Sequence, residues 1–223
     1  MRFETQSTYH PKPFEPSQYI CAHVVSVVCS VHAGDDVEDE DEDEDEDDDE
    51  GDDYEYEEVV AARLAVDYLD IFRIEAEGQS VLHVCDSDSS GWEHVYSATI
   101  EPAANFAEIR KDFGFDDDIT GLVFIHQAVF HRSLRHAQQR IIDSICKMFP
   151  QSTATVMWKG TTDLSDKELA SLGFRIVAGH DLLFRPNMLI CDYDTAKEDE
   201  SYDWTVPIEA QQYVEEHWDW PED

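Results

Sequence analysis

Gly121-Leu-Val-Phe-Ile-His-Gln-Ala-Val-Phe130 is an apolar run entered from a polar turn, and it leads through His131-Arg-Ser-Leu-Arg-His-Ala137 into a segment of different period. From Leu134 onward, Ala137, Ile141, Ile142, Ile145, Cys146 and Phe149 form one apolar face, with Gln138, Gln139, Arg140, Asp143 and Lys147 mostly opposite. The first run reads as a central strand and the second as an amphipathic helix. Thr153 to Trp158 reads as a strand again. Ser165 then caps a short helix to Leu172, with Glu168 at the capping-box position and Gly173 as its stop. Phe174 to Val177 and Leu182 to Arg185 close as strands around Gly179. The order strand, helix, strand, helix, strand, strand is an α/β (α+β) layer arrangement with at least one parallel crossover. It predicts a central mixed β-sheet flanked by helices.

Working upstream, Tyr19 to His32 is rich in Val and Ile without a polar helical face, and reads as a buried strand. Residues 1–18 carry Pro11, Pro13 and Pro16 and read as an extended arm, because each proline removes a donor and restricts its predecessor. The run from Val60 to Phe72, and Val81-Leu-His-Val-Cys85 after a turn at Gly78, predict two strands. Ser87 to Ser90 offers a cap for a helix through Trp92, Val95, Tyr96 and Thr99, and Pro102 restarts a helical pattern through Phe106, Ile109 and Phe113. The organisation is then an arm (1–18), a single domain (19–190) and an acidic, aromatic C-terminal tail (191–223).

Charge is concentrated in two places. Residues 35–58 hold 20 acids and no base, and residues 191–223 hold 12 acids and one Lys; setting aside these segments, of net charge −20 and −11, leaves −6 of the −37. A run of like charges with nothing apolar to bury predicts a disordered acidic low-complexity insertion over 35–58. Fifteen scattered cations do not make a basic patch against this field, so no direct nucleic-acid binding and no attraction to anionic membranes are expected. No stretch reaches the roughly 20 apolar residues of a membrane span. The N-terminus lacks the basic and apolar regions of a secretory signal, and five cysteines without a Cys-x-x-Cys pair indicate neither a disulfide framework nor a zinc ribbon. A reducing cytoplasm is the expected compartment.

The stretch 121–185 resembles the second half of the GNAT-type N-acetyltransferase fold. In that superfamily a central strand runs into a loop of pattern Arg/Gln-x-x-Gly-x-Gly/Ala that opens a long helix, and the corresponding stretch here is Val129-Phe-His-Arg132-Ser-Leu-Arg135-His-Ala137. Leu172-Gly173-Phe174 before paired strands is similar to the family's Leu-Gly-Phe element, and Val81 to Ser89 with the Trp92 helix is similar to a bacterial branch of GNAT-like proteins. The resemblance implies an acyl-coenzyme A dependent transferase, with acetyl-CoA or another acyl-CoA held by Val129, Arg132, Ser133, Leu134, Arg135, His136 and Ala137, backbone N–H groups at the helix start meeting the pyrophosphate. It implies an amine acceptor, small molecule or protein. Two departures stand out: Arg135 replaces the usual glycine, and Leu169 stands where many members carry the tyrosine that protonates the thiolate.

His126 lies on the strand that borders the acetyl group in that family, and imidazole suits a general base there. The spacing of His126, His131 and His136 does not stack on one helical face, so no metal site is expected from them. Asp86 and Asp88 sit among Ser87, Ser89, Ser90 and Gly91, where a turn and cap is the simpler purpose. Arg132 and Arg135 mark either an anion site or the neutralisation of nearby carboxylates. Competing functions are a catalytically inactive GNAT-like binding protein and an acidic nucleic-acid mimic that engages a basic protein through 35–58. In the tail, Pro207 to His217 is expected to form a short helix docked on the protein's own surface.

Overall fold

The computed structural model describes residues 1–8, 15–32, 56–101, 107–113, 118–188 and 206–219. Most of the acidic run lies outside them. Strands β1 (Arg2–Thr8), β2 (Ile20–His32), β3 (Tyr56–Leu69), β6 (Gly121–Phe130), β7 (Thr153–Trp158), β8 (Arg175–Ile176) and β9 (Leu182–Pro186) form one mixed sheet in the order β1-β2-β3-β6-β7-β9-β8. Neighbours are antiparallel except β6 and β7, which run parallel and are joined through helix α4 (Gln138–Lys147). β4 (Ile100–Glu101) and β5 (Glu108–Ile109) form a separate two-stranded ladder.

Two apolar cores cover the sheet. On one face α4, α5 (Asp166–Ser171) and α6 (Ala210–His217) pack Ile141, Ile145, Leu169 and Ala210 against Val27, Leu64, Val123 and Ile125, with Leu134 from the turn before α4. On the other, α1 (Ile71–Ala76), α2 (Val81–Asp88) and α3 (Ser90–Thr99) pack Ile74, Val84, Cys85 and Trp92 against Leu122, Phe124 and Val156. Burial pushes the Cys85 thiol up to about 12. Consecutive residues of β6, Val123 and Phe124, therefore face opposite cores, as the pleat requires.

Several expectations are corrected. The arm begins as an edge strand, since all of Arg2 to Thr8 pairs with β2, and only after it do the prolines come. β3 begins at Tyr56, opposite His32, so residues 56–58 are strand, and the acidic segment connects the two arms of a β-hairpin. Arg2 clips this edge by donating to the Glu58 carboxylate at 2.7 Å. β3 stops at Leu69 because the Asp70 side chain accepts from the Arg73 N–H and starts α1. Val81 to Cys85 is helical: Ser80 caps it, and Val81, Val84 and Cys85 are buried at helical spacing while His83 is exposed. Past Pro102, the described residues form β5 and a 3-10 turn (Lys111–Phe113) in place of a helix. On α4, Gln138 and Asp143 belong to the buried face. Among the described residues no helix is long and apolar enough to cross a membrane.

Candidate functional site

Strands β6 and β7 are paired only from Gly121/Thr153 to Ile125/Met157, after which β6 continues along β3 to Phe130. In the β3 to β6 ladder Val66 faces Ile125 and Ala65 faces Gln127, so His126 is the extra residue of a β-bulge at the point where the parallel ladder ends. The bulge turns the His126 ring toward β3. Its Nε2 lies 3.5 Å from Asp67 Oδ1, and the Trp92 indole N–H donates to Asp67 Oδ2 at 3.2 Å. Trp92 is fully buried, whereas the His126 side chain keeps 30% and Asp67 16% of its exposure. The Asp67 carboxylate is thus held by Trp92 through one oxygen and stands within ion-pair distance of the His126 ring through the other, with Nε2 the contacting ring nitrogen; the other ring nitrogen, Nδ1, is the one left for a further partner.

Around this pair stand aromatic rings. Phe124 lies 5.6 Å from His126 and 5.6 Å from Trp158, the last residue of β7, and His94 of α3 lies 5.1 Å from Trp158 and 5.3 Å from His180. Of these residues sequence reasoning named His126 alone. Asp67 carried a readable signal, a lone carboxylate inside the apolar run Leu64-Ala-Val-Asp-Tyr-Leu69. Trp92, His94, Trp158 and His180 come from α3, β7 and the β8–β9 turn, and nothing local ties them together. Asp86 and Asp88 are exposed at the end of α2, apart from this site.

The residues expected to hold the acyl donor sit at and beyond the end of β6. Val129 is half-buried opposite Arg63, Leu134 and Ala137 are core residues, and Arg132 and His136 are exposed. The turn spends much of its own donor capacity. The N–H groups of Ser133, Leu134, Arg135 and Ala137 donate to His131 Nδ1 (3.3 Å), His131 O (2.9 Å), Arg132 O (3.2 Å) and Leu134 O (2.9 Å). Arg135 forms a two-pronged pair with Glu168 at 3.3 and 3.0 Å, so of the two arginines it neutralises a carboxylate. What remains for an anion is the Arg132 guanidinium and the first turn of α4. Its N-cap Ala137 makes no side-chain cap hydrogen bond, and the first N–H groups of an α-helix, here those of Gln138 and Gln139, have no acceptor within the helix.

The Arg135 guanidinium, then the Ser165 hydroxyl and N–H, hold the Glu168 carboxyl down at about 2. A depressed carboxyl contributes stability that is complete above its ordinary value near 4.5 and lost as pH falls toward 2. Glu168→Gln keeps the cap but not the charge, and is expected to flatten part of the acid-side decline between those pH values, read by urea melts at pH 7 and pH 3. An unaltered decline would show that the pair is screened out by solvent.

The C-terminal segment covers the same turn. Val206, Ala210, Val214 and Trp218 recur every fourth residue and are buried on the sheet, which places the expected tail helix as α6. Tyr213 packs edge-on to His131 at 5.4 Å, and Arg63 lies over Trp218 at 5.6 Å. Burial, then the charge of Arg132, lowers the pKa of His131. Among the described residues no group of His, Cys, Asp or Glu is placed to hold a metal ion. No protein-family model, curated protein or solved structure matches the chain. The site is therefore read from its own chemistry.

Proposed function

We propose that this chain is a GNAT-like, acyl-coenzyme A dependent N-acyltransferase that passes its acyl group directly to an amine. The observation that carries the reading is the His126 and Asp67 pair at the bulge where the parallel β6 and β7 ladder ends. A base placed where β7 ends and β6 runs on would have a thioester and an amine within its reach. The β6, α4, β7 crossover followed by a hairpin that sets β9 beside β7 supports the same reading.

In this mechanism His126 Nδ1 takes one proton from the acceptor ammonium while Asp67 steadies the imidazolium that results. The free amine attacks the thioester carbonyl, the new C–N bond forms, the C–S bond breaks, and the amide nitrogen loses its second proton to water. Leu169 is buried at the position where the family has its tyrosine, so the departing thiolate is protonated from solvent. Acetyl-CoA or another acyl-CoA would be held at Arg132 and the first turn of α4 in place of the wider loop 129–137. The acidic run is proposed to draw cationic partners, and a reducing cytoplasm suits the free thiols of Cys29, Cys85 and Cys146, all buried.

A second reading has an observation of its own. The spent donors of the turn and the Arg135 to Glu168 pair favour a GNAT-like binding protein that no longer accepts coenzyme A. Calorimetry and thermal shift with acetyl-CoA and desulfo-CoA separate the two. Saturable heat and a raised melting temperature are expected; neither at millimolar ligand would end the transferase reading.

A further inference from the structure

We propose that Trp158, with His94 against it and His180 beyond His94, is the acceptor-binding wall of this site, and that it selects a primary alkylammonium. The proposal rests on the transferase reading for its purpose but not for its test. Trp158 closes β7 one register step past Met157, so it stands across the end of the ladder from His126. It is half-buried, and Phe124 lies 5.6 Å from its ring and 5.6 Å from that of His126. His94, exposed on α3, lies against it at 5.1 Å, and His180 extends the ring surface from the β8–β9 turn.

The chemistry of the ligand follows from what this surface offers. It presents an aromatic surface that connects through Phe124 to the ring of the His126 and Asp67 pair, and aromatic faces attract cations through the ring quadrupole. Elsewhere the chain fills such faces with its own guanidinium groups: Arg63 over Trp218, Arg73 over Tyr19 and Arg185 over Phe174. Among the described residues Trp158 has ring neighbours and no cation over it. An amine at neutral pH arrives as ammonium, so a wall that binds the charged form beside a base brings the acceptor in before its proton is removed. The field of a chain with net charge −37 favours the same ligand.

The test uses the full chain at 0.3 M salt, where diffuse attraction is screened over about 6 Å. Its tryptophan indole N–H signals are followed by NMR as n-butylammonium is added, with n-butanol as the uncharged probe of equal length. The signal missing from Trp158→Phe identifies Trp158. That signal is expected to shift saturably with the ammonium and to need about fivefold more alcohol. His94→Lys, a change at an exposed helix position, sets a fixed cation against the ring and is expected to abolish the ammonium response without lowering the melting temperature. An unmoved Trp158 signal, an equal response to the alcohol, or an undisturbed titration in His94→Lys would overturn the proposal. No acyl donor is present, so a response here together with silence toward acetyl-CoA would retire the transferase and keep the wall.

Discussion

Asp143→Ala is expected to destabilise the fold by about 3–5 kcal/mol, a large share of the 5–15 kcal/mol that holds a typical domain together. Asp143 on α4 and Arg185 on β9 are each 1% exposed and paired at 2.7 Å, and Lys147 closes on the second carboxylate oxygen from the helix surface. Removing the carboxylate takes from the buried Arg185 guanidinium, which lies over Phe174, the carboxylate it donates to. The pair also ties the helix that follows β6 to the strand beside β7, so its loss loosens the layer that positions the candidate site. Urea unfolding checks the figure, and a loss under about 1 kcal/mol would mean that water reaches Arg185. Replacing both partners, Asp143→Leu with Arg185→Met, should recover most of the stability, because the desolvation penalty goes with the charges.

That pair also shows where a sequence stops informing. Asp143 and Lys147 stand four apart on an amphipathic helix and read as its wet side, yet Asp143 is buried because Arg185 arrives from 42 residues away. The strands β2, β6, β7 and β9 and helices α3, α4 and α5 were readable because each carries a period or a cap of its own, as with Ser165 and Glu168. Val81 to Cys85 was not. Five residues fit either period, and only the Ser80 cap and the buried partners of Val84 and Cys85 decide for a helix. The edge strand β1 was hidden for another reason: its side chains are mostly exposed, and its stability comes from backbone pairing with β2.

At the site, His126 was readable from its strand and from the resemblance, and Asp67 as a lone carboxylate in an apolar run, but their pairing was not. Asp67 is adjacent only through the register of β3 with β6, and a one-residue bulge decides that the ring turns toward it. The turn after β6 was readable as an anion-binding candidate, while the consumption of its donors by 3-10 hydrogen bonds depends on backbone angles that residue types do not encode.

On the transferase reading, His126→Ala should lower kcat/KM by about 10²- to 10⁴-fold, the contribution of a positioned general base. The ring is 30% exposed and outside both apolar cores, so melting should stay close to that of the parent and the loss be chemical. Imidazole added in solution should restore part of the rate, since the truncated side chain leaves room for an exogenous base at the bulge. Asp67→Asn tests the positioning residue separately: the amide can still accept from Trp92 but no longer steadies a charged ring, so kcat should fall with the KM for acyl donor unchanged. Imidazole should not help this variant, because His126 still fills its place. Equal rates in His126→Ala and the parent would make water the base, and the bulge would then be a structural kink in β6 with no part in proton transfer.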